Sequence, residues 1–148
     1  MSKRISIPFL GESSEVPFVW FSLANGVSGC ALVDTGSEST IFDLNFVKAF
    51  KDQFKINKTK NKINFVGISK GSEQPIVNVN CKVYLGGKNE FSAEGILSDL
   101  SYVKDHLHSN FDIELSAIFG SDFLNSIGAR INFKKRKLEI SDDISGQQ

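Results

Sequence analysis

The sequence is short of several things on which other protein classes depend. Two cysteines in 148 residues are too few for a disulfide framework, and Cys30 and Cys81 fit no zinc-ligand spacing, so both read as reduced core residues. Three prolines exclude a collagen-like or proline-rich chain. Neither sign of charge prevails: 17 basic side chains stand against 17 acidic ones, which leaves no basic field for a phosphate backbone and no polybasic anchor for anionic lipid. Nucleic acid and membrane are therefore not expected as partners. No apolar run approaches the roughly 18 residues of a membrane span. Lys3 and Arg4 are followed by Pro8, Gly11, Glu12 and Glu15, which interrupt any signal-peptide core. With Met1 as the native start, cytoplasmic residence is the expectation.

What the chain does have is phenylalanine, 13 of them, within a 41% apolar composition. A single domain of this length buries roughly 70% of the surface its unfolded form exposes and needs no covalent or metal staple. No repeat or linker divides it, so residues 1–148 are expected to form one domain with its core at about 17–140. Many short strands around an aromatic core would account for the phenylalanines.

The pattern along the chain is mostly that of strands. Ile5 to Phe9 and Pro17 to Leu23 are β-branched or aromatic, Asn25-Gly26 marks a tight hairpin, and Cys30 to Val33 is the return strand. Leu44, Val47, Phe50 and Phe54 recur at helical spacing behind Asp43, a candidate N-cap. The lysine-rich residues 55–62 read as a loop leading into Ile63 to Val66. Gly67 to Gly71 reads as a hairpin tip, and the β pattern then runs from Ile76 to Leu97 around Gly86-Gly87. Periodicity weakens between Leu97 and Glu114. Leu115 to Phe119 is apolar and halts at Gly120, Ser121 is a candidate cap for a short helix through Ile127, and Ile131 to Ile140 alternates like a final hairpin. The longest basic run, Lys134 to Lys137, is its solvated turn.

Chemistry is suggested where Ala31-Leu32-Val33-Asp34-Thr35-Gly36-Ser37 sets a carboxylate directly after an apolar strand. A buried charge there is costly unless neighbours satisfy it. Thr35 and Ser37 carry hydroxyl donors, and Gly36 lets backbone approach a carboxylate closely or take a turn forbidden to other residues. Asp-Thr-Gly alone is weak, since roughly 3 chains in 100 of this length hold it by chance. Its company matters more: the apolar strand before it, a glycine-tipped hairpin about thirty residues on, and Ala117-Ile118-Phe119-Gly120 leading into a short helix.

In that order, ALVDTGSEST, NFVGISKG and AIFGSDFLNSIGARINFKKRKLEI resemble the retropepsin family of single-lobed aspartic proteases. The resemblance spans roughly Pro17 to Ile140. It implies an all-β, closed retropepsin-like acid-protease barrel with one or two short helices, and a homodimer, because each chain supplies one catalytic acid, here Asp34. Two Asp34 carboxylates would share a proton and hold one water, acting as base and acid on a peptide bond of an extended polypeptide substrate. No cofactor and no metal is implied. By the family's pattern Thr35 would bond across the dimer axis and Gly36 would present backbone to the substrate. A Ser37 hydroxyl donating to Asp34 would favour its ionised form and an acidic working range. Phe65, Val66, Gly67, Ile68 and Ser69 would form a flap over the substrate, and Leu32, Ile41 and Ile118 would complete an apolar wall. Chain ends in relatives interleave across the dimer, which makes Ile5 to Phe9 and Leu138 to Ile140 the candidates here.

Two departures stand out. Ser121 occupies a position where viral members commonly carry arginine, with Asp122 next to it as a cap for the helix or a partner for neighbouring backbone. Residues 99–114 also exceed the minimal viral length. Rival readings remain. A fold of this kind can bind peptides or assemble without cleaving anything, or serve as a purely structural barrel. His106 and His108, with Asp105 and Asp112 near them, would share a face if that segment were extended, but its polar, loop-like character argues against a metal.

Overall fold

The computed structural model describes residues 4–10, 17–64, 73–101, 103 and 114–141. Ten strands are laid out along them. They are β1 (Arg4–Pro8), β2 (Phe18–Ser22), β3 (Ser28–Val33), β4 (Ile41–Asp43), β5 (Lys55–Asn64), β6 (Glu73–Leu85), β7 (Asn89–Ser98), β8 (Leu115–Phe119), β9 (Ala129–Asn132) and β10 (Lys137–Ser141). Helix α1 covers Leu44–Ala49 and helix α2 covers Ser121–Ser126.

Six strands form a closed ring in the order β2-β3-β8-β4-β7-β6, with β6 returning to β2 at Tyr84 and Ser22. Closure removes the exposed edges that an open sheet would carry. Strand β5 lies outside the ring against β6, and β1, β10 and β9 make a separate three-stranded antiparallel sheet. Most pairings are antiparallel, but β8 runs parallel to β3 and antiparallel to β4. Strands β3 and β4 thus flank β8, and the chain between them, residues 34–40, passes the end of β8 where Gly120 lies. This crossing positions the candidate acid.

The period-two alternation expected of strands sorts side chains into two apolar clusters. Val19, Phe21, Ala31, Val33, Phe42, Ala117 and Phe119 join the larger one. Their neighbours Phe18, Cys30, Ile41, Leu115 and Ile118 join the other, where Leu100 is fully buried and Leu32 and Val103 pack alongside. Strand β8 is buried along its whole length. The phenylalanines concentrate in the larger cluster: Phe21 meets Phe46 and Phe119, Phe119 meets Phe123, and Phe42 meets Phe54, with ring centroids 4.8–5.9 Å apart, the range favoured by tilted and edge-on pairs.

Several local expectations hold for stated reasons. Asn25-Gly26 turns the β2–β3 hairpin, with Gly26 at φ +91° and Asn25 Oδ1 accepting the Val27 N–H, and Gly86 and Gly87 turn β6 into β7 with φ of +62° and +91°. Asp43 caps α1 by accepting the Phe46 N–H, and its other oxygen accepts the Leu100 N–H at 2.9 Å. Both cysteines are free and buried, and burial pushes each thiol up to about 12.

Three expectations change. The lysine-rich stretch at 55–62 belongs to strand β5, because ladder bonds to the long β6 outweigh its polar composition. The helix expected to reach Phe54 ends at Ala49 and continues as a 3-10 turn, Lys51–Gln53. Phe50 leaves the helical region there, at φ −125° and ψ 44°, with its ring on Phe46. Ser121 is the first residue of α2, and the cap position belongs to Gly120. The chain ends also find each other within one molecule: Ile5 faces Ile140 and Ile7 faces Leu138. Among the described residues, the outer edges of this sheet are β1 and β9.

Candidate active site

Asp34 follows β3 directly, and its backbone N–H donates to Phe119 O at the end of β8. The residue is half-buried, and Thr35 and Gly36 are exposed in the single chain. The carboxylate is positioned by backbone: Gly36 N–H donates to Asp34 Oδ1 at 3.0 Å, and Ser37 N–H donates to Asp34 O at 3.1 Å. A Cβ at position 36 would stand 3.2 Å from that same Oδ1, a tight contact that glycine avoids.

The Ser37 hydroxyl does not do what the sequence suggested. It donates to Ser39 O at 2.7 Å, inside the loop. A hydroxyl has one proton to give. The expected Ser37–Asp34 bond is therefore not made in the single chain.

The loop's remaining bonds run to the segment after β8. Ser121 N–H donates to Ser37 O at 2.7 Å, and Gly120 N–H donates to Thr40 Oγ1 at 3.0 Å. Thr40, fully buried, gives its hydroxyl to Asp122 Oδ1 at 2.7 Å and its N–H to Asp122 Oδ2 at 3.1 Å. Asp122 thus bonds a backbone group far away in sequence and also accepts Phe123 N–H in its own helix. A Cβ on Gly120 would lie 2.6 Å from Ser39 O and 2.7 Å from Ser37 O. The glycine that ends the apolar run is demanded by the loop lying against it.

Leu32, Ile41 and Ile118 pack in one apolar cluster, and Ile41 pairs with Ile118 across β4 and β8. Leu100 and Val103 pack against this group, a contribution from the long β7–β8 connection that no local pattern announced. Phe65, Val66, Gly67, Ile68 and Ser69 lie outside the described residues, as do His106 and His108; β5 and β6 flank the first group with Asn64 opposite Glu73. Among the described residues no cluster of three or more His, Cys, Asp or Glu side chains could hold a metal. An open cavity of about 420 Å³ with mixed polar and apolar walls, Asn78, Asn80, Ile96, Asp122 and Phe123 among them, does not include Asp34. Thr40 was missed in the sequence because a threonine six residues after the acid carries no signal of its own.

Solved structures share this arrangement of strands. A retropepsin-like aspartic protease from Rickettsia conorii superposes with a TM-score of 0.56 at 18% identity, covering 95% of this chain and 92% of that one. The chain has a retropepsin-like fold. The retroviral protease-like domain of Ddi1 from Leishmania major is also similar, with a TM-score of 0.54 at 16% identity over 88% of each chain. No protein-family profile and no curated protein sequence matches. On the retropepsin-like barrel of this chain, Asp-Thr-Gly occupies the loop between β3 and β4, backed by Gly120. No helix among the described residues is long and apolar enough to cross a membrane.

Proposed function

We propose that this protein is an aspartic endopeptidase that works as a homodimer in the cytoplasm, hydrolysing peptide bonds in extended polypeptide segments. The observation that carries the reading is Asp34 at the end of β3, with one carboxylate oxygen held by Gly36 N–H and with Thr35 and Gly36 exposed beside it. One chain supplies one such acid, so a second copy completes the site, and the exposed Thr35 and Gly36 are the surface that it would cover.

The chemistry follows from two like charges brought close. Two Asp34 carboxylates brought close would repel one another unless they share a proton. The ionised carboxylate takes a proton from the water as its oxygen attacks the scissile carbonyl carbon, while the protonated one polarises the carbonyl oxygen. The apolar cluster of Leu32, Ile41 and Ile118 favours apolar side chains next to the scissile bond. An extended substrate adds its own backbone bonds as a further strand would.

The test is cleavage of an unfolded protein mixture by wild type and Asp34→Asn from about pH 3.5 to 7.5, at several protein concentrations. Cleavage that disappears in the variant, and rises more steeply than linearly with concentration, is the expected result. A folded dimer that cleaves nothing would turn the reading towards a peptide-binding module on the same fold.

A further inference from the structure

We propose that Asp122 is a positioning residue for Asp34, acting through Thr40. The inference rests on Asp34 being the acid of proteolysis. Loop 34–40 has two anchored ends: Asp34 N–H on Phe119 O, and Thr40 on Asp122. Between them Ser121 N–H donates to Ser37 O, so the short segment 119–122 ties the loop at Asp34, Ser37 and Thr40.

The Thr40 anchor is chemically specific. A fully buried hydroxyl must both give and receive a hydrogen bond to avoid a desolvation cost. Here it receives from Gly120 N–H and gives to Asp122 Oδ1. The second carboxylate oxygen accepts Thr40 N–H, and Thr40 O accepts Ile96 N–H at 2.8 Å. Only an acceptor-only group with two oxygens answers both Thr40 donors. Asparagine would turn an NH₂ towards one of them. Capping α2 does not explain this geometry, because two of the three bonds of Asp122 to distinct donors go to a residue 82 positions away.

Thr40→Val removes the hydroxyl at nearly constant shape, Thr40→Ser keeps it, and Asp122→Asn removes one acceptor oxygen. Two readouts are compared in the full chain. The first is the Ser121 amide exchange rate and the Gly36 amide proton shift, which report the loop and the Asp34 carboxylate directly. Thr40→Val and Asp122→Asn are expected to speed Ser121 exchange about tenfold and move the Gly36 shift, with β6 amides unchanged and Thr40→Ser close to wild type. The second is kinetic: kcat about 10- to 100-fold lower in the first two variants, as a misplacement of about 1 Å produces, with KM within about twofold. Wild-type exchange rates and shifts in both variants would overturn the proposal. So would Thr40→Ser behaving like Thr40→Val, which would assign the effect to packing. Should Asp122→Asn fail to fold, the Thr40 pair decides alone. Should the wild type cleave nothing, the proteolytic reading fails while the exchange arm still decides whether Asp122 holds the loop.

Discussion

The three-stranded terminal sheet and the Asp34 loop are held by opposite means. The sheet has regular ladders, with β10 between β1 and β9, and buries Ile7, Leu138 and Ile140 on one face. The loop has no ladder: seven residues are tied by five hydrogen bonds to segment 119–122 and stay partly exposed. Apolar burial is non-directional and scales with area, so it can hold a sheet without fixing any one side chain to an ångström. Hydrogen bonds are worth little net but are directional. They suit a loop whose task is to aim a carboxylate.

Three substitutions would break or sharpen that contrast. Leu138→Ala empties a fully buried position in the sheet and should cost about 2–5 kcal/mol, read as a lower denaturation midpoint with the Ser121 amide still protected in the folded fraction. A loss of Ser121 protection along with it would mean that sheet and loop are one cooperative unit. Gly120→Ala should cost less in stability, about 1–3 kcal/mol, yet disturb the loop more, because its methyl meets backbone oxygens of Ser37 and Ser39 that have nowhere flexible to retreat. Retained exchange rates at Ser121 in that variant would contradict the close fit. Glu139→Gln should have the smallest effect. Glu139 accepts from Asn132 and pairs with Arg4 at 3.6 Å on the solvent side of the sheet, and these contacts hold its carboxyl below the usual range, the Asn132 bond contributing most. A depressed carboxylate stabilises the fold above its unfolded pKa and loses that contribution as pH falls through the folded value. The variant's deficit should therefore appear near neutral pH and vanish in acid; a deficit that persists in acid would point to packing instead.

Much of the barrel was legible beforehand because strands, tight turns and β8 depend on near neighbours. Asn25-Gly26, Gly86-Gly87 and the alternation of Cys30 to Val33 act over a few residues. Strand β5 was hidden for the complementary reason. Lysines 55, 58, 60 and 62 carry no strand pattern, and only the length of β6 makes a partner for them. At the site, Asp34, Gly36 and Gly120 stood out in the sequence, and the structure brings them together: Gly36 N–H on the Asp34 carboxylate and Gly120 against the loop that carries both. The Ser37 hydroxyl donates to Ser39 O and not to Asp34, a choice set by the path of the loop, which the sequence does not show.

Local sequence determined which segments become strands, where the chain turns, and that one acid follows an apolar strand with a glycine two residues on. Those outcomes need only side-chain periodicity and backbone freedom over short distances. Tertiary structure decided that β8 would run between β3 and β4, which sets Gly120 under Ser37 and Ser39 and brings Asp122 to Thr40. Contacts between residues some eighty positions apart arise only when the ring closes, because the chain crossing that joins them is a property of the whole barrel.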